Sequence, residues 1–460
     1  MLKKSFKEVS YKDLDSFIYG KALHPVTTKN GLVIGGGTII PELNFTLPTS
    51  QITEETMPKV LKQYKEIVED ACKRAYELKA PGYMVELEML PPTTYNPKWS
   101  IEITRVVREV MDKFQEEYGL KGALRLTPVD IREDQNSPHM WKGEYWDKIM
   151  VSFEEGALAG ADFLSIESIG GKDVHDEGLM YGDIRKVLFG LGVLACKDMT
   201  KLWTEIGAIA DRTNSIPAGD TACGFANTAM VLADKGYVPK AFSAIDRVMS
   251  AVRGLVAFEA GAQGPDKDCG YEGVYIKAIT GAPISMEGKT SAVAHLSAVG
   301  NIAACVADVW SNESVQNVRL LGGMTPTISM EQLIYDCRLM NTATAKGQGQ
   351  MLRDLLADSD SKYDPQAYIL RPDVVLRIAN EIVKEDTHYL RTKRAAQATI
   401  SELRAALADG KVEIVAKEAS WLDKVEQQLN ATPNDEEQFT QEMIKECATI
   451  TKFDPKKFDL

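Results

Sequence analysis

The chain has 460 residues, 44% apolar and 26% charged, enough to bury a large core as one large domain with appendages or as two to three domains. Its formal net charge of −13 argues against nucleic acid or anionic lipid as the main partner, since both select basic patches. Seven scattered cysteines suit a reducing cytoplasm better than a disulfide framework. No run approaches about 18 uninterrupted apolar residues, and MLKKSFKEVSYKDLDSF has no apolar stretch that would make it a signal peptide.

The first 55 residues read as an irregular extension, with GLVIGGGTIIPELNFTLP (31–48) as extended chain and turns. From Met57 the pattern is regular. Pro58 suits a first helical turn, and Val60, Leu61, Tyr64, Ile67, Val68, Ala71 and Ala75 recur at helical spacing. Short β-like runs follow at GYMVELE (82–88), ALRLTPVDI (123–131), DFLSIES (162–168), SIPAGDTAC (215–223), LVAFEAGA (255–262), AITGAPISM (278–286) and VRLLGG (318–323). Helical patterns separate them, among them 101–117, 143–159, 179–195, 199–210 and 291–308.

Alternating short strands and amphipathic helices mean parallel βαβ units, and the alternation lasts about as long as an eight-fold barrel needs. An open doubly wound sheet would place a glycine-rich phosphate loop after its first strand, and GYMVELEMLPPTTYNP has none. The expected fold is therefore an α/β, (β/α)8 TIM-type barrel over 56–328. The irregular N-terminal segment, 1–55, precedes it and an added C-terminal helical layer, 329–460, follows.

A barrel of this kind carries its active site where the strands end. Glu167 ends DFLSIES, Cys223 ends SIPAGDTAC, and Cys269 follows LVAFEAGA within QGPDKDCGYEG. One carboxylate and two thiolates make a zinc ligand set with the fourth tetrahedral position open, the mark of a catalytic site. The plainer alternative is a salt-bridging glutamate and two inert thiols. Cys72, Cys196, Cys305, Cys337 and Cys447 lie in helical patterns and read as inert. GAPISMEGKT has the wrong glycine spacing for a phosphate loop, and the five histidines form no metal spacing. NSPHMWKGEYWD (136–147) reads as the apolar side of a helix start or, if exposed, as a docking surface.

AGDTACGFANTAM (218–230), GPDKDCGYEG (264–273), LSIESIGGKDV (164–174) and WSNESV (310–315) closely resemble segments of the methanol:corrinoid methyltransferases, specifically their methanol-activating zinc subunit. GALRLTPVDIRED, ISMEGKTS and DPQAYIL extend the likeness over nearly the whole chain. The resemblance implies zinc held by Glu167, Cys223 and Cys269. It also implies a corrinoid-protein partner whose cobalt takes the methyl group, and a homodimer core within a two-plus-two complex. Hydroxide is a poor leaving group, so methanol is expected to react as the neutral alcohol or with a nearby acid sharing its proton. Asp220 and Asp268 are the nearest acids in sequence, as proton donors or as orienters, and the alternative is that both are turn residues. The residues by themselves leave open another methyl donor, a thiol acceptor, and a non-catalytic subunit that only holds a corrinoid protein.

Overall fold

The computed structural model of the protein describes residues 4–47, 49–132, 137–220, 223–268, 272–289, 292, 297–313, 319–450 and 452–460; the side chains of Cys223 and Asp268 lie outside what it describes. Its centre is one eight-stranded parallel sheet. The strands are β1 (Ile40–Asn44), β2 (Tyr83–Met89), β3 (Gly122–Pro128), β4 (Phe163–Ile166), β5 (Ile216–Asp220), β6 (Asp266–Asp268), β7 (Ile284–Glu287) and β8 (Val309–Ser311). Their order is β5-β4-β3-β2-β1-β8-β7-β6. The remaining seam, β5 to β6, is bridged just ahead of β6, where the Gln263 and Gly264 amides donate to the Pro217 and Ala218 carbonyls at 2.7 and 2.8 Å. The sheet is thus nearly closed, and the expected TIM-type barrel is what forms.

Helices surround it. α1 (Met57–Glu77) starts on Pro58 and buries Val60, Tyr64, Ile67, Val68, Ala71 and Ala75 along one stripe. α2 (Pro97–Tyr118), α3 (Glu144–Leu158), α4 (Cys196–Thr213), α5 (Lys240–Ala260) and α6 (Gly273–Thr280) follow between strands. α7 (Thr325–Ala345) packs against both α1 and β1 and so fills the last helical position of the barrel. The helical region expected from residue 329 therefore begins inside a barrel helix. Beyond it lie further helices, of which α8 (His388–Ala408) packs along α5. Among the described residues no helix is long and apolar enough to cross a membrane.

Several strand expectations need correction. The segment 31–48 contains β1, a barrel strand, within what reads as an extension. LVAFEAGA is the end of helix α5, every residue of which from Ala241 to Ala260 is buried. Its polar stripe, Ser243, Asp246, Arg247, Ser250 and Arg253, is itself buried and stops short of the last turns, so the apolar run that ends the helix mimics a buried strand. The strand that leads to Cys269 is β6, three residues long. In AITGAPISM the chain is helical to Thr280, turns at Gly281 (φ 73°) and becomes strand only at Ile284. Arg319–Leu320 and Gly323–Met324 form a small exposed hairpin outside the barrel, whose eighth strand is Val309–Ser311. Of the expected helix 291–308, the described part from 297 holds a single 3-10 turn, Ile302–Ala304.

Inward positions alternate along each strand and build the interior in tiers. At the bottom, Ile40, Met84, Ala123, Phe163, Ala218 and Val309 meet Val26, Leu32 and Ile34 in a small apolar cluster. These last three belong to the antiparallel hairpin Lys21–Thr27/Val33–Gly36, which seals the N-terminal end of the barrel. Two residues further up, the inward side chains become charged.

Candidate active site at the barrel rim

The first charged tier is self-neutralising. Arg125 on β3 donates to Glu42 on β1 at 2.7 Å, to Ser165 Oγ on β4 at 2.8 Å and to the Pro265 carbonyl at 2.9 Å. Both charges of the pair are fully buried, and Ser285 on β7 donates to the other Glu42 oxygen.

The second tier is not balanced. Lys267 on β6 contacts Glu86 on β2 and Glu287 on β7, the latter at 2.8 Å, and Thr127 donates to Glu86 at 2.8 Å. Asn44 Nδ2 donates to Glu88 at 3.1 Å. Glu88, the next inward residue of β2, is only partly buried, as is Glu167 across the barrel. Burial works against ionisation of Glu86, but Lys267 and Arg125 outweigh it and hold its carboxyl below the ordinary range. Glu88 has no such match: burial, then the Glu86 charge, pushes its carboxyl up to about 7. Glu167 is driven well above the ordinary range by burial and by Glu88. One ammonium thus faces four carboxyl groups, and the upper barrel is a place where added positive charge is stabilised.

Glu167 stands at the end of β4, in an isolated parallel bridge with Val129. The turn after it is pinned. Asp130 accepts the Ile169 amide at 3.1 Å, and Arg132 holds Asp130 through two hydrogen bonds of 2.9 and 2.7 Å while reaching Asp198 on α4 at 2.7 Å. Gly170 is required here, because a Cβ at that position would lie 2.4 Å from an Asp198 oxygen. Cys223 opens a short π-helical turn, Cys223–Asn227, three residues beyond β5. Cys269 is the residue immediately after β6 and lies outside the described residues. β4 and β5 pair directly, with Ile166 opposite Asp220, and β5 neighbours β6 across the closing seam.

The two expected proton handlers sit on the same rim. Asp220 ends β5, is buried, contacts Arg253 on α5 and accepts Trp203 Nε1 at 3.3 Å. Burial raises its carboxyl above the ordinary value, with Arg253 pulling the other way. Asp268 ends β6 opposite Met286, its side chain outside the described set. Glu88, Lys267 and Arg253 had escaped the sequence reading. The available signal was charge at inward strand positions, as in YMVELEM, where Glu86 and Glu88 share a face with Met84.

The remaining features are structural. Cys72, Cys196, Cys305, Cys337 and Cys447 are buried, and burial pushes the Cys72, Cys305 and Cys447 thiols up to about 12. Cys447 lies in a 3-10 turn just past the last long helix. Within 136–147, Trp141 donates to Asp198 at 2.7 Å, and Trp141 and Trp146 pack on the core. Among the described residues no three His, Cys, Asp or Glu side chains already form a metal cluster; the two rim cysteines are not in that set.

A family model for the methanol-cobalamin methyltransferase B subunit matches residues 3–459. The chain belongs to this family. A methanol–corrinoid protein co-methyltransferase from Methanosarcina barkeri (strain Fusaro / DSM 804) is 39% identical over 464 residues, covering 100% of this chain and 98% of the relative. The crystal structure of the methanol:cobalamin methyltransferase complex MtaBC from Methanosarcina barkeri matches at a TM-score of 0.95 and 38% identity, over 99% of this chain and 100% of that one. The expected family and fold are therefore met, and the protein is an enzyme of the methanol:corrinoid methyltransferase class.

Proposed function

We propose that the protein activates methanol on a zinc ion held by Glu167, Cys223 and Cys269 and passes the methyl group to the Co(I) corrinoid of a partner protein in the cytoplasm. The observation that carries this reading is positional. Glu167, Cys223 and Cys269 belong to three neighbouring strand ends of one barrel rim, above an interior with four carboxyl groups and one ammonium. A divalent cation suits such a place on charge alone, and a carboxylate with two thiolates is a donor set that zinc accepts. Bound zinc would supply Lewis acidity that makes the methanol oxygen a better leaving group.

The chain's own residues supply the rest. Methyl transfer breaks the methanol C–O bond, forms a Co–C bond with the electron pair of Co(I), and needs one proton so that oxygen leaves as water. Glu88 is the chain's candidate carrier of that proton: it is partly open at the mouth, and burial with the Glu86 charge raises its carboxyl to about 7 in the metal-free protein, a rise that a bound zinc would oppose. Asp220 is engaged by Arg253 and Trp203, an arrangement that favours orienting over proton donation. Asp268 keeps its proposed role as an acid or orienter beside Cys269. The corrinoid protein, docked over the rim, would cap the pocket and exclude water, and two copies of each chain would make the working complex.

The test is methanol-dependent methylation of a supplied Co(I) corrinoid protein, followed by cobalt absorption, with zinc measured on the same samples. Wild type is expected to hold one zinc per chain and to methylate only when methanol and partner are both present. Cys269→Ala is expected to lose activity and to hold zinc more weakly than wild type. Full activity in zinc-free protein would overturn the proposal.

A further inference from the structure

Arg253 is one of several buried cations that lie outside the barrel interior. It sits on α5, and its side chain is 1% exposed. Its Nη2 donates to the Ser168 carbonyl at 3.1 Å, to Ser168 Oγ, and to Asp220 Oδ1. Its guanidinium carbon lies 4.5 Å from the centre of the Phe225 ring. Ser168 is the residue after Glu167, Asp220 is three residues before Cys223, and Phe225 is two residues after it. A single planar group therefore touches both chain segments that carry the first two proposed ligands. Each partner is itself fixed: Ser168 Oγ contacts Met199 Sδ at 3.2 Å, and Trp203 holds the second Asp220 oxygen at 3.3 Å.

Burying a guanidinium is costly unless partners meet its charge. One carboxylate would satisfy a stabilising role. Nη2 alone reaches a carboxylate, a backbone carbonyl and a hydroxyl on two strand ends, while the guanidinium plane lies over the Phe225 ring, a stacking that an ammonium does not reproduce. We infer that Arg253 is a positioning residue that sets the spacing of the Glu167 and Cys223 segments for the metal. This rests on the zinc reading above.

The experiment uses the purified full chain with its metal removed by chelator. Zinc is titrated against a competing chelator, and Co(II) is titrated in parallel to read its thiolate absorption. In Arg253→Met and Arg253→Lys, zinc affinity is expected to fall about 10- to 100-fold, the range seen when groups that orient metal ligands are removed. The Co(II) absorption is expected to shift and weaken, a change that a loss of general stability would not produce in folded protein. Wild-type affinity with a wild-type Co(II) spectrum in these variants would overturn the inference. Should both variants fail to fold, Ser168→Ala and Asp220→Asn remove one partner at a time and are expected to weaken zinc several-fold. Unchanged zinc affinity in both would equally overturn it. A wild-type chain that binds no zinc is a different outcome and counts against the proposed function itself.

Discussion

The unbalanced upper tier of the barrel makes a stability prediction centred on Glu88. An ordinary glutamate titrates at 4.5, and in the folded protein this one is pushed up to about 7 by burial and then by Glu86. The folded state therefore binds a proton more tightly than the unfolded chain does. Its contribution is fully present below the unfolded value and is lost as pH rises through about 7. The difference of about 2.5 units, at about 1.36 kcal/mol each, amounts to roughly 3 kcal/mol as an upper figure. Unfolding entropy of about 2.1 cal/mol/K per residue gives about 1 kcal/mol/K for this chain, so the effect is about 3 °C in Tm. The assay is thermal unfolding of metal-free protein at pH 5 and pH 8, wild type against Glu88→Gln. The wild type is expected to lose about 3 °C more than the variant between the two pH values. Equal losses would refute the reasoning that Glu88 is held protonated by its neighbours.

Other consequences follow from the same structure. Arg125→Met strands the buried Glu42 carboxylate, a change worth about 3–5 kcal/mol and so about 3–5 °C; adding Glu42→Met should recover most of that loss in a thermal scan. Gly170→Ala drives a Cβ into Asp198 and, through Asp198, Arg132 and Asp130, disturbs the turn after Glu167. It is expected to cost about 1–3 kcal/mol by thermal unfolding and to weaken zinc in a chelator competition. Among the described residues Cys72, Cys196, Cys305, Cys337 and Cys447 are buried; if zinc is held by Cys223 and Cys269, an aromatic disulfide reagent should find two more thiols in native protein after chelation than before it, and all seven after unfolding.

The fold was legible wherever a strand was apolar and bounded by turns. DFLSIES and SIPAGDTAC satisfy that rule, and their ends carry Glu167 and Cys223 as expected. β6 escaped because its three residues, Asp-Lys-Asp, read as a loop; only the barrel interior makes a lysine acceptable in such a strand, by giving it Glu86 and Glu287. The end of α5 reads as a strand for the opposite reason, since its polar stripe, Ser243 to Arg253, stops before the buried run Leu255–Ala260 and leaves that run without a period. The same burial hid Arg253, which finds its partners just past β4, at Ser168, and at the end of β5, at Asp220, far away in sequence. β1 and β8 are short strands of five and three residues that pair with each other from the two ends of the barrel sequence. Local pattern could not supply that information.

Zinc-edge X-ray absorption on the purified, zinc-loaded protein tests the central claim most directly. The account predicts two sulfur scatterers at about 2.3 Å with oxygen at about 2.0–2.2 Å, and one sulfur fewer in Cys269→Ala. A wild-type spectrum with no sulfur around zinc, or with two sulfurs still present after Cys269→Ala, would contradict it.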